Sequence, residues 1–355
     1  MRYIGNKTRL LGFIEDTLRR RGIAPGRALD PFTGTASVAR ALKRLGHAVV
    51  AADVMTYAYA FARAYVQAGA EPRLDALAAQ LDTRPLTLGA VVAHLNRLPP
   101  RPGFMHTHFT PDGDEGRRHG RMFFTPRNGA RIDAVRHSLE VWRREQRIDE
   151  TTYFLLLATL LEAADRVANT AGVYAACIKS WQPNALRPLH LTPPMIVAGN
   201  GCIAKREDAL RVVREAGTFD LLYLDPPYNS RQYTGYYHIP ELIALGWFDA
   251  PPVLRGKTGL LPDRDQRSDW CRRGRCEQAL ETLLAHANCR HIVMSYNSEG
   301  LIPERTIVTA LRVWGRAASF RRYRRAYRRY RSDADGVARR YRGDAVEERL
   351  YCVSR

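Results

Sequence analysis

The 355-residue sequence has no Cys-x-x-Cys pair among its six cysteines, at 177, 202, 271, 276, 289 and 352. Cys271 and Cys276 bracket three arginines, but no histidine pair follows at zinc-finger spacing, so no structural metal site is expected. Free thiols in a reducing compartment are the expectation instead. No run of about 18 apolar residues is present, which excludes a transmembrane helix. The opening Met1-Arg2-Tyr3-Ile4-Gly5 lacks the apolar core of a signal peptide, so a cytoplasmic, nucleoid-associated protein is expected. No nuclease motif is evident. Acid is also scarce: 36 Asp and Glu stand against 55 Lys and Arg, a net charge of +19. Such an excess points to a polyanionic partner, nucleic acid first, although an arginine-rich coding bias gives the same total.

What is present begins with strand–helix alternation. Gly26–Asp30 is short, apolar and ends in an acid. Pro31–Ser37 is a Gly/Thr loop, Val38–Leu45 has helical character closed by Gly46, and His47–Asp53 is a buried-type strand again ending in Asp. This alternation predicts a parallel α/β sheet. It stops near residue 70. A stretch with proline-rich joints at 99–102 and a polar glycine loop at 111–120 follows, then helices predicted near 128–147 and 150–168. Strand character resumes at Met195–Gly199, a helix is expected at Arg206–Arg214, and Phe219–Asp225 and His291–Tyr296 read as buried strands. One α/β domain, at 1–70 and 195–355, is therefore expected to carry a mostly helical insertion at 71–194.

Three motifs carry chemistry. In Asp30-Pro31-Phe32-Thr33-Gly34-Thr35-Ala36, the glycine lets a ligand approach the backbone, and the next helix offers free N–H groups to a carboxylate. Asp30 can take a ligand ammonium. Asp53, 23 positions later, ends the next strand, where an acid can accept ribose hydroxyls or simply cap a helix. Asp225-Pro226-Pro227-Tyr228 follows the strand F-D-L-L-Y-L-D. Its prolines stiffen a turn and remove N–H donors, so the carbonyls face outward as acceptors. Asp225 and the Pro226 carbonyl can then both accept from an amino group, and Tyr228 offers a ring for stacking.

D-P-P-Y after a hydrophobic strand, with D-P-F-T-G-T-A upstream and R-Y-I-G-N-K-T at the start, resembles the DNA amino-methyltransferases. Asn6 stands where that family often has glycine. The motif order resembles the alpha arrangement, in which a target recognition domain occupies the gap. The resemblance implies a class I, Rossmann-like S-adenosylmethionine-dependent methyltransferase. Tyr3, Gly5 and Lys7 would lie beside cofactor and target base; Asp30, Phe32, Gly34 and Thr35 would cradle the methionine end; Asp53 would hold the ribose; Asp208 would meet the cofactor adenine. Asp225, Pro226, Pro227 and Tyr228 would carry the chemistry on a base extruded from double-stranded DNA. D-P-P-Y favours adenine N6 over cytosine N4, where S-P-P-Y is commoner. Methylation of a cytosine carbon is excluded in this reading, because no cysteine follows a proline. RNA amino-methylation is a third activity compatible with the pocket, although the N-terminal R-Y-I-G-N-K favours DNA. A non-catalytic nucleic-acid-binding module would need a broken motif, and none is broken. A cognate restriction enzyme is a partner that the resemblance allows.

The basic residues concentrate at 321–331, R-R-Y-R-R-A-Y-R-R-Y-R, where Arg321, Arg324, Arg325, Arg328 and Arg329 interleave with tyrosines. Arginines can meet phosphates and rings can stack on bases. The segment is expected to form a hairpin with the terminal E-R-L-Y-C-V strand. Lys179, beside Trp181, and Arg231, behind the D-P-P-Y turn with Asn229, Ser230 and Gln232, are further candidates for DNA contact. Arg117, Arg118 and Arg121 are expected in a flexible loop.

Overall fold

The computed structural model describes residues 1–81, 86–199, 201–262, 266–328 and 345–355. By its internal packing the chain divides into two units: Ile4–Ala62, Gly199–Gln232 and Gln266–Arg355 form one, and Met1–Tyr3, Arg63–Ala198 and Tyr233–Asp265 form the other.

The first unit is built on seven strands: β1 (Arg27–Asp30), β2 (Ala48–Asp53), β3 (Ile203–Arg206), β4 (Phe219–Leu224), β5 (Cys289–Asn297), β6 (Arg321–Arg328) and β7 (Ala345–Ser354). Their order is β3-β2-β1-β4-β5-β7-β6. β1 to β5 run parallel, and β7 enters antiparallel between β5 and β6. This is the mixed sheet of a class I methyltransferase fold. The central strands are apolar at consecutive positions because a parallel sheet is covered on both faces. Leu29, Val50, Leu222, Leu224, Ile292 and Met294 face a cluster with the helices Ala209–Glu215, Cys276–His286 and Glu304–Trp314. By the two-residue period, Ala28, Val49, Ala51, Leu221 and Val293 point the other way.

Two local expectations change. The strand expected at Met195–Gly199 lies instead at Ile203–Arg206. Met195-Ile196-Val197 is apolar, but it follows Pro193 and Pro194 and Met195 is exposed; its hydrophobicity does not mark a paired strand. The helix expected from Arg206 begins only at Ala209, since Arg206 ends β3 and Asp208 accepts from the Leu210 and Arg211 N–H groups as N-cap.

The second unit is helical, as expected of the insertion, with Pro126–Arg144 and Glu150–Arg166 the longest elements. Thr125 and Asp149 cap them by accepting from Asn128 and Thr152 N–H. Residues 233–265, expected within the α/β domain, pack with this unit instead. The polar stretch 111–120 holds a short helix, Asp114–His119, so Arg117 and Arg118 lie on a helix and not in a flexible loop. Arg121 is 2% exposed. It donates to the carbonyls of His108, Gly256 and Lys257, which makes it a clamp between the helix Phe104–Phe109 and the loop at 256–257. Among the described residues no helix is long and apolar enough to cross a membrane.

Candidate active site

Register arithmetic assembles the site. In parallel pairs, residues matched across strands share a face, and every second residue repeats it. Ala28 pairs with Leu221 and Asp30 with Ala51, so Asp30, Asp53, Tyr223 and Asp225 share one face. Tyr223 pairs with Val293, which extends that face to Ser295 on β5. Leu350 pairs with Ser295, which brings Glu348 on β7 to the same side. All lie at the carboxyl ends of the parallel strands, the end at which open α/β sheets bind ligands.

The Pro31–Ala36 loop turns by two left-handed residues, Gly34 (φ 51°) and Ala36 (φ 59°). Its shape is fixed by Asp53, whose Oδ2 accepts from Gly34 N–H at 2.9 Å while Oδ1 accepts from Met55 N–H at 3.0 Å. Thr35 is half-buried beside them. The helix Ser37–Arg44 then starts with no side-chain cap. Phe32 lies edge-on to Trp270, centroids 4.9 Å apart.

Asp30 is 1% exposed, and burial raises its carboxyl to about 8, with the negative charges of Asp225 and Asp53 adding to the effect. Asp225 is raised to about 6, chiefly by burial; Lys7 opposes the rise and Glu348 adds to it. Three carboxylates thus crowd one edge of the sheet, an arrangement that a cationic ligand relieves. The ammonium and sulfonium of S-adenosylmethionine fit that donor set.

Lys7 is 2% exposed. Its ammonium lies 3.1 Å from Asp225 Oδ1 and 2.6 Å from Glu348 Oε1, and donates to the Tyr228 hydroxyl. Burial pulls the lysine down, and the two carboxylates more than offset it. The Tyr228 hydroxyl donates in turn to Asp225 Oδ1. Gly5, at φ 83°, faces the same ring; a Cβ there would come within 3.3 Å of Tyr228 Cε2. Oδ1 of Asp225 is therefore doubly engaged. Among the described residues nothing donates to its Oδ2 or to the Pro226 carbonyl, while the Pro227 carbonyl faces the Tyr296 hydroxyl at 3.5 Å.

Gly5, Lys7, Asp30, Phe32, Gly34, Thr35, Asp53 and the D-P-P-Y residues thus belong to the sheet unit. Tyr3 belongs to the helical unit, where its ring stacks on Tyr237 at 4.7 Å and tilts on Tyr233 at 5.5 Å. Asp208 is committed to its helix cap. Sequence reasoning does not single out Glu348 or Ser295. An acid within the terminal apolar strand is the only signal for the first, and nothing marks the second.

The basic candidates divide. Arg321, Arg324 and Arg325 are exposed on β6, the edge strand, and β6 pairs antiparallel with β7 as expected. Arg321 donates to the carbonyls of Ala318 and Phe320, Arg324 lies 3.7 Å from Glu347, and Arg325 lies over the Phe13 ring. Arg328 ends the strand, and Arg329 lies outside the described residues. Exposed Arg231 follows the D-P-P-Y turn, and exposed Lys179 donates to the Gly120 carbonyl.

Residues 3–270 match the family model of the D12 class N6 adenine-specific DNA methyltransferases. The chain belongs to that family. The methyltransferase is 35% identical to the type II methyltransferase M.NlaIII of Neisseria lactamica, over 94% of this chain and 93% of that one. It is 34% identical to M.FokI of Planomicrobium okeanokoites, over 94% of this chain but 50% of the relative. It is 28% identical to M.CviAII of Paramecium bursaria Chlorella virus 1, over 99% and 97% of the two chains. No solved structure matches the methyltransferase significantly. It is an enzyme that methylates adenine in DNA.

Proposed function

We propose that this DNA adenine methyltransferase draws its methyl group from S-adenosylmethionine and works on an adenine flipped out of double-stranded DNA. When bound, the cofactor would supply an electrophilic methyl group on a sulfonium sulfur, which keeps the electron pair of the broken bond; the N6 lone pair would take the methyl group, and the nitrogen would release one proton to solvent. Asp30 would hold the methionine ammonium, the Gly34–Thr35 turn and the Ser37 helix end would receive its carboxylate, and Asp53 would accept from the ribose. Asp53 already takes two N–H groups, yet each carboxylate oxygen has a second lone pair for a hydroxyl.

The observation that carries this reading is a pair of acceptors to which no described residue donates, Asp225 Oδ2 and the Pro226 carbonyl, beside three crowded carboxylates. Two acceptors grip both N–H groups of an exocyclic amine and turn its lone pair toward the methyl donor. Positioning supplies much of the rate, and no covalent nucleophile is required. Tyr228, 8% exposed and tethered through its hydroxyl, is the ring that would stack on the flipped base. In this reading the helical insertion selects the target sequence, while Arg231, Lys179 and the β6 arginines meet the DNA backbone. The enzyme then acts at the chromosome in the cytoplasm, paired with a cognate restriction enzyme.

The test is mass spectrometry of nucleosides from DNA treated with the purified enzyme and deuterium-labelled S-adenosylmethionine. Labelled N6-methyladenine is the expected product. Labelled N4-methylcytosine alone would replace adenine by cytosine as the target, and no label in either would refute the cofactor.

A further inference from the structure

Glu348 is an acid within an apolar strand. It sits on β7, 4% exposed, with Leu350 and Cys352 repeating its face toward the core. Its Oε1 takes the Lys7 ammonium at 2.6 Å and the Ser295 hydroxyl at 2.8 Å. A carboxylate at that depth persists only when charge and hydrogen bonds match it. A lysine needs one such partner, and Lys7 has two. Its ammonium has three protons, and Glu348, Asp225 and the Tyr228 hydroxyl receive them. The ammonium is therefore fixed in place, with Oδ1 of Asp225 at 3.1 Å.

We propose that Glu348 is a positioning residue for methyl transfer: it holds Lys7 on Oδ1 of Asp225, so that Oδ2 and the Pro226 carbonyl are what the target amine meets. The inference rests on the reading of Asp225 as acceptor of that amine. Charge gives it a second role. A Lys7–Asp225 pair alone would be neutral, whereas the triad with Glu348 carries one net negative charge. The amine nitrogen becomes positive as the methyl group arrives, and a preset negative charge beside it lowers the barrier. Among the described residues the Glu348 side chain bonds Lys7 and Ser295, and no residue of the Pro31–Ala36 loop.

The groups facing Asp225 are Lys7 from the N-terminal segment, Asp30 from β1, Tyr223 and Tyr228 from β4 and its turn, and Glu348 from β7. The test is the pH profile of single-turnover methylation by the full chain with S-adenosylmethionine and duplex DNA. Glu348→Gln is expected to slow turnover about tenfold, less than the roughly 10²–10³-fold of a partner that touches the reacting group, because Glu348 acts through Lys7, with cofactor and DNA affinities within about twofold. Its acid limb moves to lower pH, since a negative neighbour of Asp225 is lost. Lys7→Met moves the limb to higher pH, since a positive neighbour is lost, and Glu348→Asp returns it toward the parent. Opposite shifts are not the mark of a merely structural pair.

A folded Glu348→Gln enzyme with the parent rate and limb overturns the proposal, as does a loss of rate that only follows a loss of folded protein. Should that variant not fold, Ser295→Ala removes the hydroxyl that orients Glu348 and keeps its charge. It is expected to slow turnover about threefold, the scale of one modest hydrogen bond, with the limb unmoved, and an unchanged rate counts against the positioning role. Asp225→Asn, run alongside, separates the two ideas. If it stays active, the reading of Asp225 fails. If it is inactive while Glu348→Gln matches the parent, only the role of Glu348 fails.

Discussion

Two charged regions of one sheet behave oppositely. At the carboxyl ends of β1, β2 and β4, buried and half-buried acids gather, and Asp225 and Glu348 of β7 hold one buried lysine between them. On β6 the arginines are exposed, and their partners are backbone carbonyls, Glu347 and an aromatic face. Buried charge is held only by matched neighbours, so its geometry reads as chemistry. Exposed charge is cheap, and an edge strand has its own use for it: charged side chains stop another strand from pairing there. The arginine density of β6 therefore has two physical explanations, whereas the crowding around Asp225 has one.

The largest expected effect lies in the buried region. Asp225→Ala should abolish methylation and leave cofactor affinity within a few-fold, because in the proposed reading its carboxylate meets the amine. Turnover by the purified variant would erase the contrast between the two regions. Next comes Asp53, which fixes the Gly34 turn and, in the proposed reading, also takes the ribose. Asp53→Ala should weaken cofactor binding by roughly 1.5–3 kcal/mol through lost charge-assisted hydrogen bonds. Calorimetry giving unchanged affinity in a folded variant would remove Asp53 from the site.

A smaller effect concerns Asp30 and protons. Its carboxyl is raised to about 8, so its protonated form predominates at pH 7 without ligand. A raised acid contributes stability that is full below its unfolded value near 3.8 and is lost as pH rises through about 8. A cationic ligand should reverse that bias, so cofactor binding should release protons near pH 7 and tighten as pH rises toward 8. Titration calorimetry in buffers of different ionisation heat measures the release. Zero proton release would mean that Asp30 does not meet the ammonium.

The mildest change is expected on the arm. Arg324→Gln with Arg325→Gln should weaken binding to all DNA sequences and reduce the salt slope of log K by about 0.9 per lost phosphate contact. Site preference should survive, because phosphate contacts position and base contacts specify. Folding stability should change by about 1 kcal/mol or less, as for exposed ion pairs. Isotherms with an unchanged slope would leave β6 as a protected edge only.

The sequence by itself determined the strand–helix alternation through Asp53, the turn after Asp30, the D-P-P-Y turn and the helical insertion. Each is local: an apolar run, an acid at its end, and glycine or proline where the backbone must turn. β3 lies later than its apolar signal suggests, because a short apolar run flanked by prolines has the composition of a strand without its pairing. Residues 233–265 look continuous with the α/β domain because no composition shift marks the segment. Only the tertiary structure decided that Arg121 is a buried clamp, that Asp208 is a helix cap, and that Lys7 stands between two acids. Lys7 and Glu348 are separated by 341 positions. They meet because β7 runs antiparallel beside β5, which returns the start of the last strand to the carboxyl end of the parallel ones. Sheet register is set by pairing between distant segments, and no local pattern contains it.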